Sequence, residues 1–221
     1  MPPQSPAPAK YNTPLRQAQR DLTRGRIKSA ARKLFYDNHY DSTTMDEIAL
    51  AAGLRRSTVY LHYKDKAEIL ADVIAEYTPK ARGVLATLPG PHPSLQQLNL
   101  WVGQVAIFVA KERVPLSIIL ELRRTHEDTD ALEKLTRELL AGLGENNSPF
   151  REASREDAGA KLRARGLMLL QELTYACEIH LDDTDDARGN AMLEVAAEDF
   201  FAFLSSPESE KPAALPGVRR P

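Results

Sequence analysis

Cysteine is nearly absent from this chain: Cys177 is the only one in 221 residues. An internal disulfide framework is therefore excluded. Without a Cys or His partner at ligand spacing, a structural zinc is not expected either, since Cys177-x-x-His180 is half a site at most. Apolar runs are short, none reaching the roughly 18 to 20 residues needed to cross a bilayer. The opening MPPQSPAPAK lacks the apolar core of a secretory signal. These absences lead us to expect a cytoplasmic protein without membrane association. Glycine is sparse between the ends, and no Gly-rich loop suited to cradling phosphate appears. No stretch alternates apolar and polar residues in the Val-, Ile- and Thr-rich manner of a strand. The chain reads as all-α.

Enzyme chemistry lacks its usual parts. None of the five histidines has a Glu three residues before it, which removes the di-iron bundle pattern. Cys177 lies on an apolar helical stretch with no evident activating base. The acidic group His180, Asp182, Asp183, Asp185 and Asp186 reads as a solvated loop rather than a cation site. We expect no catalytic residues, no metal and no cofactor.

What is present is an uneven distribution of charge. The total of −2 hides a basic first part, with twelve Lys and Arg against six Asp and Glu in residues 1–66, and an acidic remainder. Localised basic charge is the electrostatic footprint of a polyanion-binding module joined to a module with another task. Residues 1–18, rich in proline, read as a disordered basic arm, and residues 206–221 as a disordered tail. From Arg20 an apolar face of Leu22, Ile27, Ala30, Ala31, Leu34 and Phe35 predicts a helix ending near Asp37. Asn38 and His39 tolerate the left-handed backbone of a helix stop.

Thr44-Met-Asp-Glu47 has capping-box spacing and predicts a short second helix stopped at Gly53, which can take the positive φ of a tight turn. A third short helix, about Arg55 to Leu61, turns Val59 inward. It leaves Arg55, Arg56, Ser57, Thr58, Tyr60, His62, Lys64 and Lys66 on or beside its outer face. Two short helices joined by a Gly-centred turn describe a helix-turn-helix whose second helix enters the DNA major groove.

These residues resemble the DNA-binding region of TetR-family transcriptional repressors. The resemblance rests on Ile27, Ala30-Ala31 and Leu34-Phe35; on Thr43-Thr44, Ile48-Ala49 and Ala52-Gly53; and on Thr58-Val59-Tyr60, His62-Tyr63, Lys66 and Leu70. It implies about nine helices, three forming the DNA-reading head and the rest a domain that binds a small molecule and dimerises. It also implies that Thr44, Tyr60, His62 and Lys66 grip phosphates. Arg55, Arg56, Ser57 and Thr58 would then reach base edges and neighbouring phosphates, with Lys64 beside them. The chain departs from the family where Arg55 stands in place of a Ser or Thr cap, and where His39 replaces a glycine. Arg55 cannot accept a capping bond, so it reads as a DNA contact.

The domain organisation expected is a DNA-binding head over 19–65 and a helical ligand-binding and dimerisation domain over 66–205. Thr78-Pro79 predicts a kink or a break in the fourth helix. Later helices are predicted over about 95–110, from Pro115, over 129–143, 155–181 and 185–204, with GENNSPF as a loop. A pocket is expected from Trp101, Val105, Phe108, Ile119, Leu122, His126, Met168, Gln171 and Tyr175, mostly apolar with a few polar handles. A two-fold four-helix interface is expected from Leu167, Leu170, Leu173, Thr174, Met192, Val195, Ala196, Asp199, Phe200 and Phe203. The function expected is a homodimeric repressor that binds a palindromic double-stranded DNA operator and is released by a small, largely apolar effector. The alternatives are a regulator controlled by a protein partner and, third, a helical enzyme that binds no DNA.

Overall fold

The computed structural model describes residues 14–124, 130–155, 157–182 and 186–205. Among these the secondary structure is helical throughout, with ten helices and no strand. The chain forms two compact units that divide between Asp72 and Val73.

The first unit contains α1 (Pro14–Asn38), α2 (Met45–Ala51), α3 (Arg56–Tyr60) and the first residues of α4 (Lys66–Leu85). Residues 14–18, expected in a disordered arm, form the first turn of α1; residues 1–13 lie outside the described residues, as does the tail expected over 206–221. Proline suits a helix start because the N–H it lacks would have no partner there, and the Leu, Arg, Gln and Ala that follow are good helix formers. The helix ends where expected, with His39 at φ 66°. Ile27, Ala31 and Phe35 of α1 pack with Ile48 and Ala49 of α2, Val59 of α3, and Ile69 and Leu70 of α4 in one buried core. Tyr40 closes the end of that core, edge-on to Phe35 at 5.1 Å between ring centroids, a geometry aromatic pairs favour.

The second unit holds the remainder of α4 with α5 (Leu95–Lys111), α6 (Arg113–Arg124), α7 (Asp130–Leu143), α8 (Ser148–Ala153), α9 (Ala160–Asp182) and α10 (Asp186–Ser205). The predicted break at Pro79 is absent: α4 runs through it. Pro79 has no N–H to offer the carbonyl of residue 75. Buried Val73, Ile74 and Tyr77 before it and Ala81 and Leu85 after it hold both halves of the helix by packing.

Helix α5 is the centre of this unit, with Leu98, Trp101, Val102, Val105, Ala106 and Val109 buried. It packs against α9 and α10, which also lie along each other. Gly189 permits that pairing, because a Cβ there would come within 2.9 Å of the His180 backbone. The expected loop GENNSPF instead contains α8, the helix beyond the nine expected. Its Phe150 is fully buried and lies 5.6 Å from the Phe200 ring and 5.0 Å from the Phe203 ring. Proline in the first turn and this aromatic anchor account for a helix in a stretch that reads as polar. No described helix is long and apolar enough to cross a membrane.

Candidate nucleic-acid interface and apolar cavity

Helix α3 has only five residues and cannot be stable by itself; its neighbours hold it. The Thr44 hydroxyl accepts from the Glu47 N–H, and the Glu47 carboxylate accepts from the Thr44 N–H at 2.8 Å, completing the capping box of α2. Those bonds hold the Glu47 carboxyl below its ordinary value. The turn follows with Gly53 at φ 63°. An Arg26 guanidinium N–H from α1 donates to the Ala52 carbonyl at 2.7 Å and the Gly53 carbonyl at 3.3 Å, fastening the turn to α1. Val59 then plugs α3 into the core with no exposed surface.

With Val59 inward, the remaining side chains of α3 face out. Arg55, Arg56 and Ser57 are exposed, Thr58 is half-buried and Tyr60 is exposed. Arg55 stands at the N-cap position and makes no side-chain capping bond, as its chemistry requires. Arg56 donates to Asp46 of α2 at 2.7 Å and lies 5.4 Å from the centre of the Tyr60 ring. This exposed pair orders the guanidinium without removing it from the surface. Thr44 and Lys64 are exposed on the same unit. Lys66 is more engaged: its ammonium donates to the carbonyls of Tyr40 at 2.8 Å and Asp41 at 2.9 Å. It thereby ties the start of α4 to the loop before α2. An ammonium has three donors, so two such bonds leave the cation able to attract an anion.

Behind α3 sits a network that spacing does not reveal. Arg24 donates to the His62 carbonyl and to Asp72, both at 3.0 Å, and its guanidinium stacks 4.2 Å from the centre of the Tyr63 ring. The Tyr63 hydroxyl donates to the same carboxylate at 2.6 Å. Burial pushes Asp72 up, but the bonds from Tyr63 and Arg24 outweigh it and hold the carboxyl below its ordinary value. Burial, together with the nearby cations Arg20 and Arg24, pushes the half-buried His62 down. Arg20 thus stands beside the expected phosphate-binding edge, a position sequence reasoning missed. The i, i+4, i+8 spacing of Arg20, Arg24 and Lys28 was the available signal.

The second unit holds a partly open cavity of about 440 Å³, within the range of small-molecule sites. Its walls are Tyr77, Ala81 and Leu85 of α4, Val105, Phe108 and Val109 of α5, Leu116, Ile119 and Arg123 of α6, Leu135 and Leu139 of α7, and a polar stripe on α9. That stripe is Gln171, Thr174, Tyr175 and Glu178. Of the expected pocket residues, Val105, Phe108, Ile119, Gln171 and Tyr175 line the cavity and His126 lies outside the described residues. Three need correction. Trp101 packs inside the core, 5.2 Å from the Phe200 ring. Leu122 is buried but is not part of the wall. Met168 is 67% exposed on the outer face of α9.

The expected interface needs a larger correction. Leu170, Leu173, Ala196, Phe200 and Phe203 are buried within the single chain, so they are unavailable to a second copy. Leu167, Thr174 and Met192 are half-buried, while Val195 and Asp199 are exposed. Helical periodicity identifies an apolar face but cannot tell which partner covers it. The exposed apolar residues of these two helices are Met168, Tyr175, Val195 and Phe201.

A three-helix head with an outward basic α3 is the arrangement of a helix-turn-helix. Residues 27–73 match the family described as "Bacterial regulatory proteins, tetR family". The chain is 32% identical over 103 residues to the transcriptional regulator AcrR of Shigella flexneri, a stretch covering 44% of this chain and 47% of that protein. It is 29% identical over 115 residues to the transcriptional activator FasR of Mycolicibacterium smegmatis, 52% of each chain. The chain spans about half the length of these curated relatives. Among solved structures, a complex of SmeT with triclosan has a similar fold, with a TM-score of 0.56 at 18% identity over 90% of this chain and all of that one. The family match lies on the head, residues 27–73, and the likeness to solved structures such as that of SmeT shows a shared fold.

Proposed function

We propose that the protein is a homodimeric transcriptional repressor that binds a palindromic operator and is released by a small, largely apolar effector. The reading rests chiefly on α3: its apolar side is spent on Val59, and its guanidinium and hydroxyl groups face outward. Arg55, Arg56, Ser57 and Thr58 would meet base edges and nearby phosphates, since arginine pairs with guanine O6 and N7 through two bonds. Thr44, Tyr60, His62, Lys64 and Lys66, with Arg20 added at the rim, would hold phosphates and fix the register.

Dimerisation would use the outward faces of α9 and α10, where Met168, Tyr175, Val195 and Phe201 are exposed in the single chain. The cavity supports an effector, and its existence favours this reading over control by a protein partner alone. The solved SmeT complex, which carries triclosan in a similar fold, is consistent with it. Release would be a population shift in which the occupied cavity favours a dimer whose two α3 helices no longer match the roughly 34 to 36 Å between successive major grooves.

The decisive experiment is to recover the fragments that the purified protein retains from its source genome, then measure their affinity across a panel of hydrophobic compounds. A palindromic fragment bound by a dimer and released by a subset of compounds is the expected result. No fragment retained above background would end the DNA reading. Affinity that no compound alters would end the release step.

A further inference from the structure

Tyr77 of α4 brings a hydroxyl to the wall of the apolar cavity. The residue is only 6% exposed, and its ring centre lies 5.9 Å from that of Phe108, which borders the same void. Among the described residues the Tyr77 hydroxyl has no hydrogen-bond partner. Other polar groups of that wall are provided for. The Thr174 hydroxyl donates to the Leu170 carbonyl of its own helix at 2.7 Å. Gln171 and Tyr175 are exposed, so water can serve them.

A hydroxyl taken out of water without a compensating bond costs stability, and native cores seldom leave one so. Here the fold supplies no internal partner and opens a volume beside the group, so the partner is to be sought in whatever fills that volume. Burial, and then the charge of Glu112, push the Tyr77 hydroxyl up from its ordinary value. It therefore keeps its proton and can donate. An acceptor oxygen with no hydrogen of its own would leave no second donor to satisfy against walls of Val105, Leu116, Ile119 and Leu139.

Resting on the effector reading above, we propose that Tyr77 selects the effector: its hydroxyl donates to a carbonyl or ether oxygen carried on an otherwise apolar body. The paired rings of Tyr77 and Phe108 give that body an aromatic surface, which suits ring-bearing compounds. Size and apolar area alone would admit any hydrocarbon that fits. The hydroxyl adds a preference for the oxygenated one.

The test is equilibrium dialysis of the full-length chain against benzophenone and against 1,1-diphenylethylene, which keeps the shape but has a CH2 group in place of the carbonyl oxygen. Both are measured on the unaltered protein, on Tyr77→Phe and on Gln171→Leu. Comparing the ratio of the two affinities across the three proteins cancels the greater hydrophobicity of the hydrocarbon. Tyr77→Phe should lower the ratio of benzophenone to hydrocarbon affinity about five- to tenfold, with the loss on the benzophenone side. The infrared carbonyl stretch of bound benzophenone should lie below its position in hydrocarbon solvent and return toward it in Tyr77→Phe. The thermal midpoint of the empty Phe variant should match or exceed that of the unaltered protein, since no internal bond is lost.

A ratio indifferent to Tyr77→Phe, or an unshifted carbonyl stretch, overturns the role of Tyr77 while leaving an apolar effector standing. A ratio that falls with Gln171→Leu instead moves the acceptor to α9 and overturns it equally. A lower midpoint for the Phe variant, or its failure to fold, would mean that the hydroxyl is bonded within the protein, which removes the premise. Binding of neither compound overturns both this proposal and the effector reading.

Discussion

The two units handle their polar groups in opposite ways. In the first, the informative side chains sit outside a helix whose inner face is sealed, and buttresses such as Arg26 and the Arg24, Tyr63 and Asp72 network fix that helix from behind. In the second, apolar side chains and one polar stripe on α9 surround empty space. A surface that reads a long, stiff polyanion needs its donors at set positions before contact. A site for a small molecule needs volume, and volume left in a core costs stability. The first unit is built for position and the second for capacity.

The largest effect that could break this contrast is expected in the second unit. Phe150→Ala removes a fully buried ring that touches Phe200 and Phe203 and should cost about 3 to 5 kcal/mol of stability, read from urea unfolding. A cost below about 1 kcal/mol would mean that the core around α8 collapses to fill the gap.

Next comes the surface proposed to meet DNA. Arg56→Ala should weaken specific operator binding by about 1 to 3 kcal/mol if it reads a base. An equal loss on scrambled DNA would reassign it to a phosphate. Smaller again is Thr44→Ala, which loses the cap of α2 and should lower stability by about 1 kcal/mol, with Thr44→Ser restoring it. If the Ser variant recovers stability but not DNA binding, the methyl group of Thr44 has its own part in the footprint.

The mildest effect separates the units by pH. Burial, and then the hydrogen bond and charge of Asp199, push Glu172 on α9 up to about 7. A carboxyl raised in the folded state contributes stability that is complete below its unfolded value and is lost as pH rises through about 7. The thermal midpoint should therefore be lower at pH 8 than at pH 6. Glu172→Gln should reduce that difference by raising the midpoint at pH 8. An unchanged pH profile in the variant would show that Glu172 does not set the pH dependence.

The parts of the fold that are legible in the sequence are those decided by local chemistry. Thr44 and Glu47 at their spacing, Gly53 at the turn and His39 at the helix stop each carry their own reason, and each stands where that reason requires. Less legible are features that depend on what lies opposite in space. Pro79 looks like a break until the packing on both sides of it is known. Phe200 and Phe203 have the spacing of an interface, yet Trp101, Phe150 and each other's neighbours on α5 and α9 enclose them. The cavity was half legible for the same reason: periodicity finds the inner faces of α5, α6 and α9 but not which inner residues border a void. Arg20 and Arg26 belong to a helix whose basic residues read as solvent-facing, and only the approach of His62 and of the Ala52 carbonyl gives them a task.

Cys177 has a practical consequence. Its sulfur has no exposed surface, and burial raises its thiol to about 12, so a disulfide-exchanging dye meets almost no thiolate while α9 stays packed. Colour development in such a reagent would then clock the opening of that helix. Because the chain has no other thiol, every photon absorbed would report on one known address, with no labelling or engineered probe required.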